Sequence, residues 1–497
     1  MSVALAMLVG SSAFGQADRP KLLAGTAKVE ITNKKVFPVS DALYVKALVL
    51  RSALTTAVII TVDAVAIGEI GSIPNRYLPT VRARLEKELK IDPKQVLVNA
   101  SHCHGRVCED VDEKTVRAVA EAMRNLVPVS IGVGVGSEDR ISENRRLKLK
   151  NGKEADVRHA YSLPPDEEIA AVGPIDPRVG VVRLDRFDGR TLAVVYHFTC
   201  HPIMGTPTTA DNTADLVGYA SKAIEASLGE GATAFFLQGC AGDINPIGYK
   251  DVHRPRNAES LGNMLGLTVL KTLRSIRPHH DGQLAIMNET IALPRADHAK
   301  RIDAMTLEQV KLLKSLRGTS LNFRMFLPLA VQYGLAPEFP SYYSHQYLHE
   351  KKLGREDLAR LDDSNRKNLK AYFDNLRIME EMTRLQTNLA LLEKHQETNR
   401  RAEMKPVHAE VVALRLGEFV LIAFPGELTV EIGFNLRKTS PHPNTFISGY
   451  TNGYLYYTPT AKQLENIGNA QEDSDCLLAP AWQSIFEAKA TEMLKKL

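Results

Sequence analysis

Between about residues 22 and 292, short apolar runs rich in β-branched residues alternate with amphipathic stretches that have the 3.6-residue period of a helix. The stretch Arg76–Leu89, for example, places Leu78 and Val81 on one face, and the short apolar run Gln95–Asn99 follows it. Strands and helices that interleave in this way are typical of α/β proteins. The sequence therefore predicts an α/β fold of mixed sheets flanked by helices.

Residues 296–405 have a different pattern. They are rich in Leu, Lys, Arg and Glu, they follow a helical period, and Pro328, Pro337 and Pro340 interrupt them. The strand pattern returns at Ala409–Leu416. We expect residues 296–405 to form a long helical insertion that packs on the α/β body and contributes a wall to a cleft.

The composition excludes several classes of protein. The 497 residues are 44% hydrophobic and 24% charged, which are values of a globular protein. The 62 basic and 58 acidic residues leave a net charge of +4 without a dense basic stripe, so nucleic-acid binding is not indicated. Five cysteines without a CxxC pair exclude a disulfide framework and a cysteine zinc ribbon. The sequence does not indicate an oligomeric state.

Residues 1–18 resemble a signal peptide. The apolar run Val3–Gly10 precedes small residues, as in the h-region and cleavage site of secreted proteins, although the positively charged start is missing. The run is too short to span a bilayer, and no later window contains 18 apolar residues, so we expect no transmembrane segment. We predict export to the periplasm or the cell exterior.

Several strands of the α/β body end abruptly in residues that can bind metal or transfer protons. These residues are His102, His104, His201, Asp243 and Glu427. The loops at strand ends converge over one edge of an open α/β sheet, where active sites lie. Two or three histidines with a carboxylate are the usual ligands of a catalytic zinc ion. Any one of these histidines alone fits a hydrogen-bonded core or loop residue better, so the inference depends on the set.

The motifs at these strand ends resemble those of the neutral, non-lysosomal ceramidases, which are zinc-dependent amide hydrolases. Six segments carry the resemblance: Val96–His104, Asn144-Arg145, Thr199–His201, Gly242–Pro246, Pro425–Thr429 and Asn452–Tyr457. Their order and spacing together are more specific than any one of them. The resemblance identifies residues 19–497 as a divergent ceramidase-like catalytic domain that includes the helical insertion, with no C-terminal β-sandwich domain.

The resemblance implies a site and a reaction. The zinc ligands would be His102, His201, Glu427 and a tyrosine, for which Tyr454 is the best match. The catalytic residues would be His104, Arg145, Asn245 and Tyr457. The implied reaction is attack of zinc-bound water on a linear N-acyl amide, with a small molecule or a lipid such as ceramide as substrate and a role in sphingolipid metabolism.

This sequence departs from the family pattern in two places. Asn245 stands where the family has a serine, and an asparagine cannot act as a nucleophile, although it can donate a hydrogen bond to an oxyanion. The segment Gly105–Val107 replaces Ser-Gly-Pro in a loop that borders the substrate. The alternative hypothesis is therefore a non-catalytic protein that holds a metal and binds a ligand on the same fold.

Other conspicuous residues have structural interpretations. Alternating glycines in Gly132–Gly136 fit a strand that another backbone segment approaches closely. His345 and His349 lack the glutamate of a zinc-protease helix and fit an exposed helical face. His197 and Cys103 fit core residues. Asp215 fits the start of a helix.

Overall fold

The computed structural model describes residues 22–497, apart from residues 37, 54, 158–162, 206–211, 230, 250, 252, 254–255, 281, 341–342 and 467–469. The predicted signal peptide at residues 1–18 lies outside the described residues, so export stays a prediction. Among the described residues, no helix combines the length and the apolar character that crossing a membrane requires.

A mixed sheet of eight strands forms the centre of the fold. Its strands, in spatial order, are β12 (Thr233–Gln238), β11 (Thr191–Phe198), β10 (Arg178–Arg186), β5 (Val127–Ser137), β1 (Leu23–Glu30), β2 (Tyr44–Arg51), β3 (Thr56–Val62) and β4 (Val96–Ala100). The pairs β3–β4 and β11–β12 are parallel, whereas the other neighbours are antiparallel. Most of these strands are buried on both faces, which explains why their sequences read as continuous apolar runs.

Helices cover one face of this sheet. α1 (Tyr77–Leu89) and α2 (Val111–Arg124) pack on one half, and α3 (Asp215–Leu228) and α4 (Ala258–Ser275) pack on the other. The glycines of β5 allow α4 to approach, because a Cβ atom at Gly136 would lie 2.3 Å from the hydroxyl oxygen of Thr272 in α4. The close approach expected at Gly132–Gly136 is confirmed, but at Gly134 and Gly136 it is made by side chains rather than by another backbone.

A second sheet of four strands packs against the other face. It consists of β14 (Leu284–Leu293), β15 (Val407–Leu416), β16 (Phe419–Ala423) and β18 (Thr445–Ser448), with α9 (Val430–Thr439) and α10 (Trp482–Lys496) against it. Apolar side chains from both sheets form one core cluster, in which Leu97 and Leu421 are fully buried. The short strands are β6 (Ser142–Asn144), β7 (Arg146–Leu149), β8 (Glu154–Asp156), β9 (Ile169–Val172), β13 (Ile244–Pro246), β17 (Glu427–Leu428) and β19 (Tyr457–Thr458). The predicted α/β fold of mixed sheets flanked by helices is confirmed.

Four helices occupy the predicted insertion. They are α5 (Ala299–Ser315), α6 (Phe323–Leu335), α7 (Ser344–Lys352) and α8 (Asp357–Arg401). The last turns of α8 are fixed to the body by Asn399, whose side chain donates to the carbonyls of Ala296 and Leu477. One detail of the prediction is wrong: Pro328 lies within α6 rather than between helices. Its exposed position lets water satisfy the carbonyl that a backbone N–H would otherwise bind.

Hydrogen bonds through Asn99 join the two edge strands of the large sheet and thereby position the site. The Asn99 side-chain oxygen accepts from the N–H of Gln238 in β12, and its amide group donates to the carbonyl of Gly449 after β18. Gln238 in turn donates to the carbonyls of Ser101 and Cys200. These bonds bring together the ends of β4, β11 and β18, which lie far apart in the sequence.

Candidate active site

Three buried side chains that follow different strands meet where the ends of β4 and β11 come together. His102 follows β4, His201 follows β11, and Glu427 begins β17, just after β16. Their candidate ligand atoms all lie within 4.8 Å of one another. Nε2 of His201 is 3.2 Å from one Glu427 oxygen, and Nε2 of His102 is 3.6 Å from the other. Among the described residues, this is the one such group of three or more metal-ligand side chains.

Backbone carbonyls orient both imidazole rings. Nδ1 of His102 lies 2.6 Å from the carbonyl oxygen of Val65, and Nδ1 of His201 lies 3.0 Å from that of Ile244. Because a carbonyl can only accept, each Nδ1 carries the proton and donates it, which leaves Nε2 with a lone pair directed at Glu427. A histidine that binds a metal through one ring nitrogen usually donates a hydrogen bond from the other, as Nδ1 does in both of these rings.

The charges and lone pairs of His102, His201 and Glu427 favour a bound cation. Burial lowers the pKa of His102 to about 4, against the opposing attraction of Glu427, and burial also lowers the pKa of His201. Burial alone would raise the pKa of Glu427, but the attraction of protonated His102 and His201 and the hydrogen bond from Tyr454 outweigh it and hold that pKa well below its ordinary value, so that Glu427 is charged before either histidine becomes neutral. At neutral pH, two imidazole lone pairs therefore face a carboxylate at short range. A divalent metal fits this donor set, since a cation removes the repulsion.

Two tyrosines share the carboxylate of Glu427. The hydroxyl of Tyr454 donates a short hydrogen bond to one oxygen, and that of Tyr450 lies 3.3 Å from the other. The Tyr450 ring also lies against His102, with ring centroids 4.3 Å apart. Burial raises the pKa of both phenols, so both are neutral donors in this arrangement. Tyr454, the predicted ligand, and Tyr450, which the sequence analysis missed, both reach the site.

The site is built with strained backbone. His102, Tyr450, Asn452 and Tyr456 all have φ between 53° and 68°, a left-handed conformation that side chains with a Cβ seldom adopt. Backbone hydrogen bonds hold them there, as from the N–H of His102 to the carbonyl of Ala64. Such strain is of order 1–3 kcal/mol per residue and concentrates at functional sites.

Arg145 lies beside the three converging side chains, between β6 and β7. Its Nε is 2.6 Å from a carboxylate oxygen of Glu472, and both side chains are buried. Burial alone would lower the pKa of Arg145, but Glu472 and Tyr457 raise it well above its ordinary value, so the guanidinium stays charged. It also lies over the ring of Tyr457, 5.4 Å from the centroid.

Asn245 lies next to Arg145 because β6 and β13 pair. Its side-chain oxygen accepts a hydrogen bond of 3.2 Å from the guanidinium, whereas its amide nitrogen has no hydrogen-bond partner among the described residues. Asn245 is fully buried and is not among the residues that line the neighbouring cavity. Its direct contact is therefore with Arg145.

A cavity of about 190 Å³ opens over these groups. Its walls are formed by Val65, Ile70, His102, His104, Arg145, His201, Ile203, Tyr249, Lys394, Glu427, Tyr454, Tyr456, Tyr457 and Asp475. His104 is solvent-exposed, and its ring centroid is 5.6 Å from that of His102. Seven of the eight predicted site residues thus line one cavity, and the eighth, Asn245, lies directly behind it.

Comparison with known proteins gives a result at the level of the fold. No family model and no curated protein matches the sequence. A crystal structure of neutral ceramidase from Pseudomonas aeruginosa matches with a TM-score of 0.60 and 16% sequence identity, over 97% of this chain and 75% of the ceramidase chain. The chain has the neutral ceramidase fold. A structure of ceramidase complexed with C2 gives the same TM-score and identity over 96% of this chain and 75% of that chain.

The helical insertion contributes to the site on this ceramidase fold. Lys394 of α8 lines the cavity, and its ammonium group lies 4.3 Å from the centre of the Tyr456 ring. The adjacent His395 is fully buried and its Nε2 lies 2.6 Å from Asp475, another wall residue. Helix α8 therefore contributes to the wall of this cavity through Lys394. The periodicity of α8 could not show which of its residues reach the cavity.

Other residues of interest have structural surroundings in this ceramidase fold. Asp243 accepts hydrogen bonds from the N–H of Val430 and the side chain of Asn144, and is not among the cavity-lining residues. Cys103 is buried, and His197 is buried with Nε2 2.9 Å from the carbonyl of Ile447. His345 and His349 lie on the exposed surface of α7. The structural interpretations of Cys103, His197, His345 and His349 are confirmed.

Proposed function

We propose that this protein is a zinc-dependent hydrolase that cleaves a linear N-acyl amide bond. The observation that carries the proposal is the buried group of His102, His201 and Glu427 at a cavity whose wall also contains Arg145. A ceramidase fold with these side chains at the expected motif positions supports a hydrolase. The alternative of a non-catalytic ligand-binding protein shares the metal site and differs only in turnover.

The donor set favours zinc over other metals. Two imidazoles, a carboxylate and a nearby phenol form a site of nitrogen and oxygen ligands suited to zinc in low coordination number. His102, His201 and Glu427 would hold the ion, and Tyr454 is the proposed fourth ligand. When bound, zinc supplies a Lewis acid that polarises a carbonyl group and lowers the pKa of a water molecule.

The other residues of the chain have distinct proposed roles. Arg145 carries a positive charge that Glu472 and Tyr457 keep in place, so it can stabilise the oxyanion that develops on the carbonyl. His104 is exposed to the cavity and can pass a proton to the leaving amine. Asn245 holds the guanidinium through its side-chain oxygen, and its amide N–H has no partner among the residues that the structure describes.

The proposed substrate is an N-acyl compound of the ceramide type. The cavity of about 190 Å³ is smaller than the roughly 300 Å³ at which pockets for drug-sized ligands begin. It therefore receives the amide group and the atoms next to it, and a long acyl chain extends through its open side. Val65, Ile70 and Ile203 give this cavity an apolar portion that suits such a chain.

A turnover assay tests the proposal directly. The purified protein is stripped of metal with a chelator, reloaded with zinc, and assayed on short-chain ceramide and on simpler N-acyl amides. We expect amide cleavage only in the zinc-loaded sample and a loss of about 10²–10³ in kcat for Arg145→Met, the value of one lost oxyanion donor. Zinc-loaded protein that cleaves none of these amides would contradict the proposal and favour the non-catalytic alternative.

A further inference from the structure

Exposed apolar side chains concentrate on the helical insertion. Of the 24 large hydrophobic residues that are exposed in the described part of the chain, 16 lie between residues 307 and 404. Single exposed hydrophobic residues are normal on a protein surface, but a concentration of this kind marks an interaction surface. The same insertion contributes Lys394 to the wall of the cavity.

α6 carries the most regular part of this surface. Phe323, Leu327, Val331 and Leu335 recur every four residues and therefore lie on one face of the helix, with exposed fractions of 63%, 51%, 52% and 83%. We call these four residues the α6 face. The opposite side of the helix is apolar too and packs against α8, where Phe326 stacks on Tyr372.

An α-helix that is apolar on both sides is normally buried on both sides. One side of α6 is covered by α8, whereas nothing among the described residues covers the α6 face. The side chains of the α6 face are therefore available to an apolar partner.

The charges around the α6 face indicate which partner this is. Two exposed arginines lie beside the α6 face. Arg324 is in α6 itself, and the backbone N–H of Arg317 donates to Asn375 of α8, the helix against which α6 packs. A second copy of the chain is disfavoured, because a symmetric pair brings the same basic surface against itself. An anionic lipid surface has the opposite charge next to an apolar interior.

We propose that the α6 face docks on the surface of a bilayer that contains anionic lipid. The four apolar side chains enter the boundary between head groups and acyl chains, and Arg317 and Arg324 contact lipid phosphates. The chain then binds the surface without crossing it. This docking does not depend on the proposed hydrolase activity, because it concerns a face of the insertion and not the cavity.

Vesicle co-sedimentation of the full chain tests this proposal without an activity assay. The probes are vesicles of phosphatidylcholine alone and of phosphatidylcholine mixed with phosphatidylglycerol. We expect binding to the mixed vesicles that weakens with added salt. Leu327→Asp with Val331→Asp should reduce this binding at least about tenfold, since two buried apolar side chains are lost. Arg317→Gln with Arg324→Gln should reduce it roughly fivefold per cation, and only on the anionic vesicles.

The matched control is Leu267→Asp on α4, which removes another side chain that is 63% exposed and should leave binding unchanged. Circular dichroism shows that each variant is folded. Failure of the wild type to bind the mixed vesicles would overturn the proposal, as would equal loss in the Leu267→Asp control. A wild-type dimer that becomes monomeric in the Leu327→Asp, Val331→Asp variant and binds no vesicles would assign the α6 face to a second copy instead.

Discussion

His102 and His201 each use one ring nitrogen to donate to a backbone carbonyl, and this choice determines what the other nitrogen can do. Because both Nε2 atoms then present lone pairs to the Glu427 carboxylate, the three side chains are poor partners for one another and good partners for a cation. The hydroxyls of Tyr450 and Tyr454 occupy other positions around the same carboxylate. Hydrogen bonds to backbone carbonyls thus fix the two imidazole rings, and the tyrosine hydroxyls fix the carboxylate, before any metal binds.

His104 is the residue that we expect to transfer a proton without binding zinc. It is exposed in the cavity wall and is not one of the three converging side chains. His104→Ala should therefore keep its zinc and lose roughly 10²–10⁴ in kcat, the usual contribution of a proton-transfer group. Metal analysis and steady-state kinetics on the same preparation check this. Loss of zinc would make His104 a ligand, and an unchanged kcat would make it structural.

The side chain at position 245 distinguishes direct attack of water from a covalent mechanism. If water attacks without a covalent intermediate at this position, Asn245→Ser keeps a hydrogen-bonding group and should stay within about tenfold of wild-type activity. Asn245→Ala should cost about 10²–10³, because Arg145 also loses the oxygen that holds it. All three proteins are assayed, zinc-loaded, on one short N-acyl amide. A harmless Asn245→Ala would remove its role, and an inert wild type rescued by Asn245→Ser would contradict the mechanism.

At the scale of secondary-structure elements, α9 begins three residues after Glu427 and depends on a distant residue for its cap. Thr429 at its start makes no side-chain cap, and the N–H of Val430 instead donates to the carboxylate of Asp243, at 2.8 Å. Strand β17, which contains Glu427, therefore leads into a helix whose first N–H is hydrogen-bonded to Asp243, the residue before β13.

We predict that Asp243→Ala lowers the free energy of unfolding by about 1–2 kcal/mol, since a buried helix cap is lost. Asp243→Asn retains one oxygen for the N–H of Val430 and should lose less. Denaturant unfolding of the three metal-free proteins measures the difference. Equal stability of Asp243→Ala and the wild type would show that the cap contributes nothing.

Features that depend on neighbouring residues could be predicted from the sequence, whereas contacts between residues distant in the sequence could not. Strands such as β4 and helices such as α1 follow from local periodicity, and the strand-end rule located His102, His201 and Glu427. Tyr450 obeys the same rule, because it follows β18 by two residues, but β18 was not recognised. The pairing of Arg145 with Glu472 joins residues 327 positions apart, and nothing in the local sequence encodes it.

At the scale of the whole molecule, stability should depend on pH through buried carboxylates. Asp215 begins α3, is buried, and accepts from the backbone N–H groups of Gly205 and Leu216. Burial raises the pKa of Asp215 to about 6 from its ordinary value of 3.8. The folded state therefore binds this proton more tightly than the unfolded chain, and the group stabilises the fold increasingly as pH falls through about 6.

The corresponding prediction compares two proteins, because other buried groups also titrate. Relative to Asp215→Asn, the unfolding free energy of the wild type should rise by about 1 kcal/mol between about pH 7 and about pH 5. Urea unfolding of both metal-free proteins at several pH values gives this difference. A difference that stays constant or falls toward low pH would contradict the assignment.

The proposed zinc site joins His102 and His201 to Glu427, which follows His201 by 226 residues in the sequence. The measurement that tests this most directly is the zinc content of the purified, zinc-reloaded and desalted protein and its variants. We predict about one zinc per chain in the wild type and in His104→Ala, and little in His102→Ala and His201→Ala. Zinc absent from the wild type, or stoichiometric in both His102→Ala and His201→Ala, would contradict the proposed centre.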